Sequence, residues 1–141
     1  MSYLPYAVVA LIAYSFVPPL MSRATVGAGA VPSNVAALVS NSILVVATLG
    51  VIAVSGESIV DHVDKPEMRL VAAAGVCLAV GILAYYRALS LGPVSVVTPV
   101  FGMFLVLSSV VGITLLEESF TARKGVGILL AVAAVVLVAG D

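Results

Sequence analysis

Few residues in this 141-residue chain could do chemistry, and their placement narrows what that chemistry is. Glu57, Asp61, His62, Asp64, Lys65 and Glu67 fall in one short polar stretch. Glu117 and Glu118 stand beside Arg123 and Lys124 in another, and Asp141 ends the sequence. No acid lies inside an apolar segment. Hydrolysis within a membrane needs a nucleophile with its base, paired carboxylates or a metal cluster. None is assembled here, so catalytic residues are none and an enzyme is not expected. His62 has no second His or Cys at ligand spacing and reads as a solvated loop histidine, so neither a metal nor a cofactor is implied. Cys77 is the single cysteine, and it reads as a small packing residue.

The polar groups that do lie within apolar segments are of another kind. Asn41 sits near the middle of one segment, where an amide is costly unless paired, so it is expected to face another helix or a cavity. Arg87 follows Tyr85 and Tyr86 near the end of another segment. About eight residues, or ~12 Å, separate it from that helix's centre, so it either snorkels to the headgroups or closes one end of a polar cavity. Thr98, Pro99, Ser108 and Ser109 share a further segment, where Pro99 either kinks the helix or serves as an early-turn proline. Pro18 and Pro19 remove two successive backbone donors, which predicts that the first helix ends or breaks within Phe16 to Met21. A carrier that trades protons for a cation on a buried carboxylate finds no such group here, which argues against a small cationic drug as sole substrate.

Composition decides what surrounds these residues. The chain is 62% hydrophobic and 9% charged, where a soluble domain carries about 25% charge, and its mean hydropathy is +1.27. The expected class is an all-α integral membrane protein forming a single domain. Six basic residues spread along the chain make no phosphate-binding stripe, which excludes nucleic acid as a partner. Five apolar segments, at about 3–21, 34–54, 68–90, 95–116 and 122–139, each approach the ~20 residues that cross a bilayer. In the fourth, thirteen Val, Leu, Ile and Phe residues contribute roughly -4 to -8 kcal/mol to insertion, so its hydroxyls do not prevent it. The joint at Leu91 to Val94 is too short for anything except a reversal. The charged joint at Glu117 to Lys124 marks where its flanking helices end. Gly75 with Ala79, and Gly127 with Ala131, form small-xxx-small pairs suited to helix packing. A cleaved leader is the competing reading of the first segment, given the small residues from Val26 to Ala30, but no basic residue precedes Tyr6.

Five is odd, so the termini are expected on opposite sides of a cell membrane that the chain crosses several times. Lys65, Arg69, Arg123 and Lys124 fall on the N-terminal side, against Arg23 and Arg87 on the other. That bias places the N-terminus in the cytoplasm and the C-terminus outside.

The run Tyr86-Arg87-Ala88-Leu89-Ser90-Leu91-Gly92-Pro93-Val94-Ser95 to Pro99, followed by Leu115-Leu116-Glu117-Glu118-Ser119-Phe120-Thr121 to Gly125, resembles the C-terminal half of the EamA-type domain of the drug/metabolite transporter superfamily. Three helices match in order and spacing, and the first two match in length and hydropathy. Many members have Gly before the Glu where this chain has Glu117-Glu118. Which carboxylate corresponds is open, and its role reads as capping or loop anchoring. The resemblance implies one half of an inverted-repeat transporter fold, with the substrate site near the midplane. A complete pathway would then require an antiparallel copy of the chain or a homologous half-size chain.

The function this implies is a half-size secondary transporter of small metabolites, acting in the lipid bilayer as an antiparallel dimer by alternating access. Tyr14, Ser15, Asn41, Tyr86, Arg87, Thr98 and Pro99 would line the cavity, Pro18, Pro19 and Pro99 would be hinges, and the fifth segment would pack two units together. Two alternatives remain: a flippase subunit for a lipid-linked sugar or phosphate, with Arg87 attracting the headgroup, and a non-transporting scaffold or accessory subunit held by its small-residue faces.

Overall fold

A computed structural model describes residues 3–140, so Asp141 lies outside the described residues. Helices are the only regular elements among them: α1 (Leu4–Thr25), α2 (Ser33–Ser55), α3 (Val60–Val63), α4 (Met68–Leu89), α5 (Val94–Gly102), α6 (Phe104–Leu115) and α7 (Ala122–Ala139). Five stretches are long and apolar enough to cross a membrane: α1, α2, α4, the run Val94–Leu115 made by α5 and α6, and α7. Their lengths run from 18 to 23 residues, or about 27 to 35 Å at 1.5 Å per residue, which matches a hydrocarbon core of ~30 Å. Large apolar side chains point outward along all five, as at Leu11, Val46, Leu78, Leu107 and Leu137. That surface is tolerable only where the solvent is lipid. The chain divides into two compact units, one ending at Leu91 and the other starting at Gly92.

In the first unit α1, α2 and α4 pack against one another. Its buried residues gather where α1 ends, α2 begins and α4 ends: Pro18 and Thr25, Ser33, Ala36 and Ala37, Tyr85, Tyr86 and Leu89. The alanines at the start of α2 lack bulk, which allows neighbouring backbones to approach closely. The α1–α2 joint is tied by Val31 N–H donating to Ala24 O at 2.9 Å. Gly56 ends α2 in the left-handed conformation, φ 72°, and returns its N–H to Ile52 O. The polar stretch after it holds the single turn α3, where His62 Nδ1 lies 2.8 Å from Ser58 O.

One expectation is corrected here. The first helix neither ends nor breaks within Phe16 to Met21, because α1 runs unbroken through Pro18 and Pro19 to Thr25. The two prolines remove only the N–H bonds that Tyr14 and Ser15 carbonyls would have accepted. In a spanning helix the remaining ladder and nearby hydroxyls hold the backbone, since there is no water to compete for it.

In the second unit α5, α6 and α7 pack together. Its first span is jointed: Met103 stands outside both α5 and α6. Around it the ladder tightens to three-residue steps, with Met103 N–H donating to Val100 O at 3.2 Å and Val106 N–H to Met103 O at 3.0 Å. Pro99 lies inside α5 rather than in its first turn. Its missing donor weakens the turn before the joint, and Gly102 is the poorest helix former after proline. Met103 itself keeps φ -59° and ψ -18°, so the joint is a local tightening and not a reversal.

Candidate functional site

The residues expected to line a cavity fall at different depths. Two residues back from the end of α4 is Arg87, exposed and without an ion-pair partner among the described residues. A cation there also faces the negative end of the helix dipole. Tyr86 beside it is buried, and its ring centroid stands 6.1 Å from that of Tyr85. Asn41 is eight residues into α2, ~12 Å from the end of the unit where α2 begins. Ser15 and Tyr14 are ten and eleven residues back from the end of α1, or ~15 to ~16 Å from the same end. The first unit therefore brings these residues onto three mutually packed helices, with a charge at one end and an amide and a hydroxyl near mid-span. Thr98 and Pro99 are half-buried on α5, in the second unit.

The hydrogen bonds of these groups differ from what the sequence suggests. Asn41 Nδ2 donates to Ala37 O of its own helix at 2.8 Å, and its amide oxygen is left to accept. Ser15 Oγ donates to Leu11 O at 2.7 Å. Thr48, Ser109 and Thr114 likewise bond the carbonyl four residues back. Serine and threonine do this readily in helices, which removes the cost of placing a hydroxyl in hydrocarbon. The two carbonyls that lose their usual partner to Pro18 and Pro19 belong to Tyr14 and Ser15, so acceptors and side chains coincide on one stretch of α1.

The joint at Glu117 to Lys124 is more built than its sequence reveals. Leu116 N–H and Glu118 N–H both donate to Gly112 O at 3.2 Å. Glu118's carboxylate folds back over Gly112, where a Cβ would stand 3.3 Å from its Cδ. Thr121 caps α7, its Oγ1 accepting from Lys124 N–H at 3.2 Å. Lys124 Nζ donates to Ser119 O at 2.9 Å and stands 3.9 Å from Glu118 Oε2. Phe120 covers Gly125, where a Cβ would come within 2.8 Å of the ring.

Glu117 takes φ 54°, the left-handed position that commonly closes a helix with glycine. Sequence reasoning missed this, because only the backbone angle separates two adjacent glutamates.

The small-residue pairs are open. Nothing lies within 4 Å of a Cβ built on Gly75 or Gly127. Ala79 is exposed, and Ala131 is half-buried. A groove of about 320 Å³ between α6 and α7 includes Ser109, Gly127 and Ala131 and ends at Glu118 and Lys124. Among the described residues no group of three His, Cys, Asp or Glu could hold a metal ion.

In a comparison with known families, the model of the EamA-like transporter family matches residues 1–140. Comparisons with curated proteins and with solved structures give no match. The chain belongs to the EamA-like transporter family, and is a membrane transporter-like protein with five apolar spans.

Proposed function

We propose, on the premise of that membership, that the chain is a half-size secondary transporter of a small metabolite, working as an antiparallel dimer by alternating access. The observation that carries this reading is that the family match, residues 1–140, takes in one set of five spans. An odd number of spans puts two fused units in opposite orientations, and a separate second copy inserted upside down supplies the same symmetry. Tyr14, Ser15, Asn41, Tyr86, Arg87, Thr98 and Pro99 line the pathway, with Pro18, Pro19 and Pro99 as bend points. Gly75, Ala79, Gly127 and Ala131 offer close-packing faces. The jointed span at Met103 supports the reading, since interrupted helices are where such carriers place their sites and their motion. The absence of acids from the spans favours a neutral or anionic metabolite, drawn by Arg87.

Topology is the first test. With Cys77→Ala as background and Asp141→Cys as reporter, a membrane-impermeant thiol reagent is expected to reach about half of the molecules from each side. Labelling from one side only, with no inverted partner chain co-purifying, would overturn the antiparallel dimer. A second test uses vesicles: Asn41→Ala and Arg87→Ala should each lower metabolite uptake more than about tenfold at unchanged membrane abundance. Unchanged uptake in both removes these residues from the pathway.

A further inference from the structure

The groove between α6 and α7 contains none of the proposed pathway residues, and its floor is the open Gly127 and Ala131 face, so a lipid there and a second copy there exclude each other. It is about 320 Å³ in volume. Its walls are Leu105, Val106, Ile113 and Ile128, and its floor is Gly127 and Ala131, where missing side-chain bulk leaves the hollow. The one hydroxyl in it, Ser109, is already bonded to Leu105 O, so the interior offers a ligand apolar contact alone. The mouth is different. Glu118 and Lys124 stand there 3.9 Å apart, with 56% and 46% of their side chains exposed. Lys124 spends one donor on Ser119 O, and an ammonium has three. Glu118's carboxylate accepts no hydrogen bond among the described residues, so both charges keep capacity for a ligand.

Dimensions and charge select the occupant. From Leu115, the end of α6, down to Leu105 is ten residues, or ~15 Å, half of a ~30 Å hydrocarbon core. That is the depth an acyl chain reaches in one leaflet. The mouth lies where the span gives way to the charged joint, at the level of lipid headgroups, with Phe120 exposed beside it. A paired anion and cation complement a headgroup that carries the opposite pair.

We propose that this groove is a phospholipid site specific for a zwitterionic headgroup bearing a phosphate and a primary ammonium, as in phosphatidylethanolamine. One acyl chain lies in the α6–α7 groove, Lys124 Nζ donates to the phosphate, and Glu118 accepts from the ammonium. A trimethylated amine has no N–H to give Glu118, and a glycerol headgroup has no cation.

The test uses the full chain, stripped of lipid in detergent. Phosphatidylethanolamine, phosphatidylcholine and phosphatidylglycerol with identical chains are added singly, and bound lipid is read by native mass spectrometry. Phosphatidylethanolamine should be retained about tenfold more tightly than either of the others, as one charge-assisted hydrogen bond provides. Glu118→Gln and Lys124→Ala should each erase that preference, and Ala131→Leu, which fills the floor, should lower retention of all three. Equal retention of the three lipids by the unaltered chain, or a preference for phosphatidylglycerol, overturns the proposal even if the variants fail to fold. A groove protected by protein concentration instead of lipid is occupied by a second copy, and also overturns it. None of these outcomes depends on whether the protein transports anything.

Discussion

The two units handle irregular backbone in opposite ways. In the first, α1 passes two consecutive prolines without interruption, and the positions with left-handed φ, Gly27 at 112° and Gly56 at 72°, are glycines. In the second, one proline inside the helix, Pro99, precedes the joint, and the left-handed position at 54° is filled by Glu117. The number of prolines therefore does not decide where a spanning helix breaks. A weak helix former placed just after the proline does: Gly102 follows Pro99 by three residues, whereas Leu20, Met21 and Ser22 follow Pro19. Backbone cost is concentrated in the second unit, where the joint at Met103 gives the chain a place to bend.

The largest expected effect tests that contrast directly. Pro99→Ala with Gly102→Ala restores a donor and removes the poorest helix former after proline, and nothing lies within 4 Å of a Cβ at 102. The double variant should fuse α5 and α6 and cut uptake more than about tenfold, if bending at the joint accompanies transport. Pro18→Ala with Pro19→Ala should lower uptake less, by about threefold, because α1 already passes through both bend points without a break. Uptake falling in the second variant and not in the first would reverse the comparison.

A smaller effect is expected at the charged joint. Gly125→Ala brings a Cβ within 2.8 Å of the Phe120 ring; displacing that exposed ring should cost about 1 kcal/mol, of which alanine in the helix returns roughly half, read as a slightly lower thermal midpoint in detergent. Adding Phe120→Ala should recover part of the loss, since the two positions share one contact. An effect of similar size carries the opposite sign. Glu117→Gly relieves a left-handed side chain worth roughly 1 to 2 kcal/mol and adds unfolded-chain entropy worth roughly half of that, leaving about 0.5 to 1 kcal/mol of stabilisation. A lower midpoint for Glu117→Gly would mean that the glutamate side chain holds the joint and that the strain argument fails.

Much of the fold is legible in the sequence because hydropathy is a strong signal: segments as apolar as 34–54 leave a bilayer as the only consistent surrounding. The order of motifs from Tyr86 to Gly125 makes the family legible too. Backbone behaviour is less so. The rule that proline stops a helix comes from chains that compete with water, so it misplaces the end of α1, and Met103 carries no breaking signature of its own. Asn41 illustrates the limit at the site. Its type announces a buried amide that needs a partner, yet a helical amide finds one four residues back, at Ala37, without any second helix. Side-chain type fixes the need, and only geometry identifies what meets it.

That self-sufficiency bears on how the protein is made. Ser15, Thr48, Ser109 and Thr114 each close a hydrogen bond within their own span. No hydroxyl among these four waits for a later helix, so each span can leave the translocon as it is synthesised. The exception is Asn41, which spends one amide donor on Ala37 O of its own helix and keeps further donor and acceptor capacity for a neighbour. During biogenesis α2 therefore carries an incentive to find company in the bilayer, and assembly of the bundle is expected to start from it.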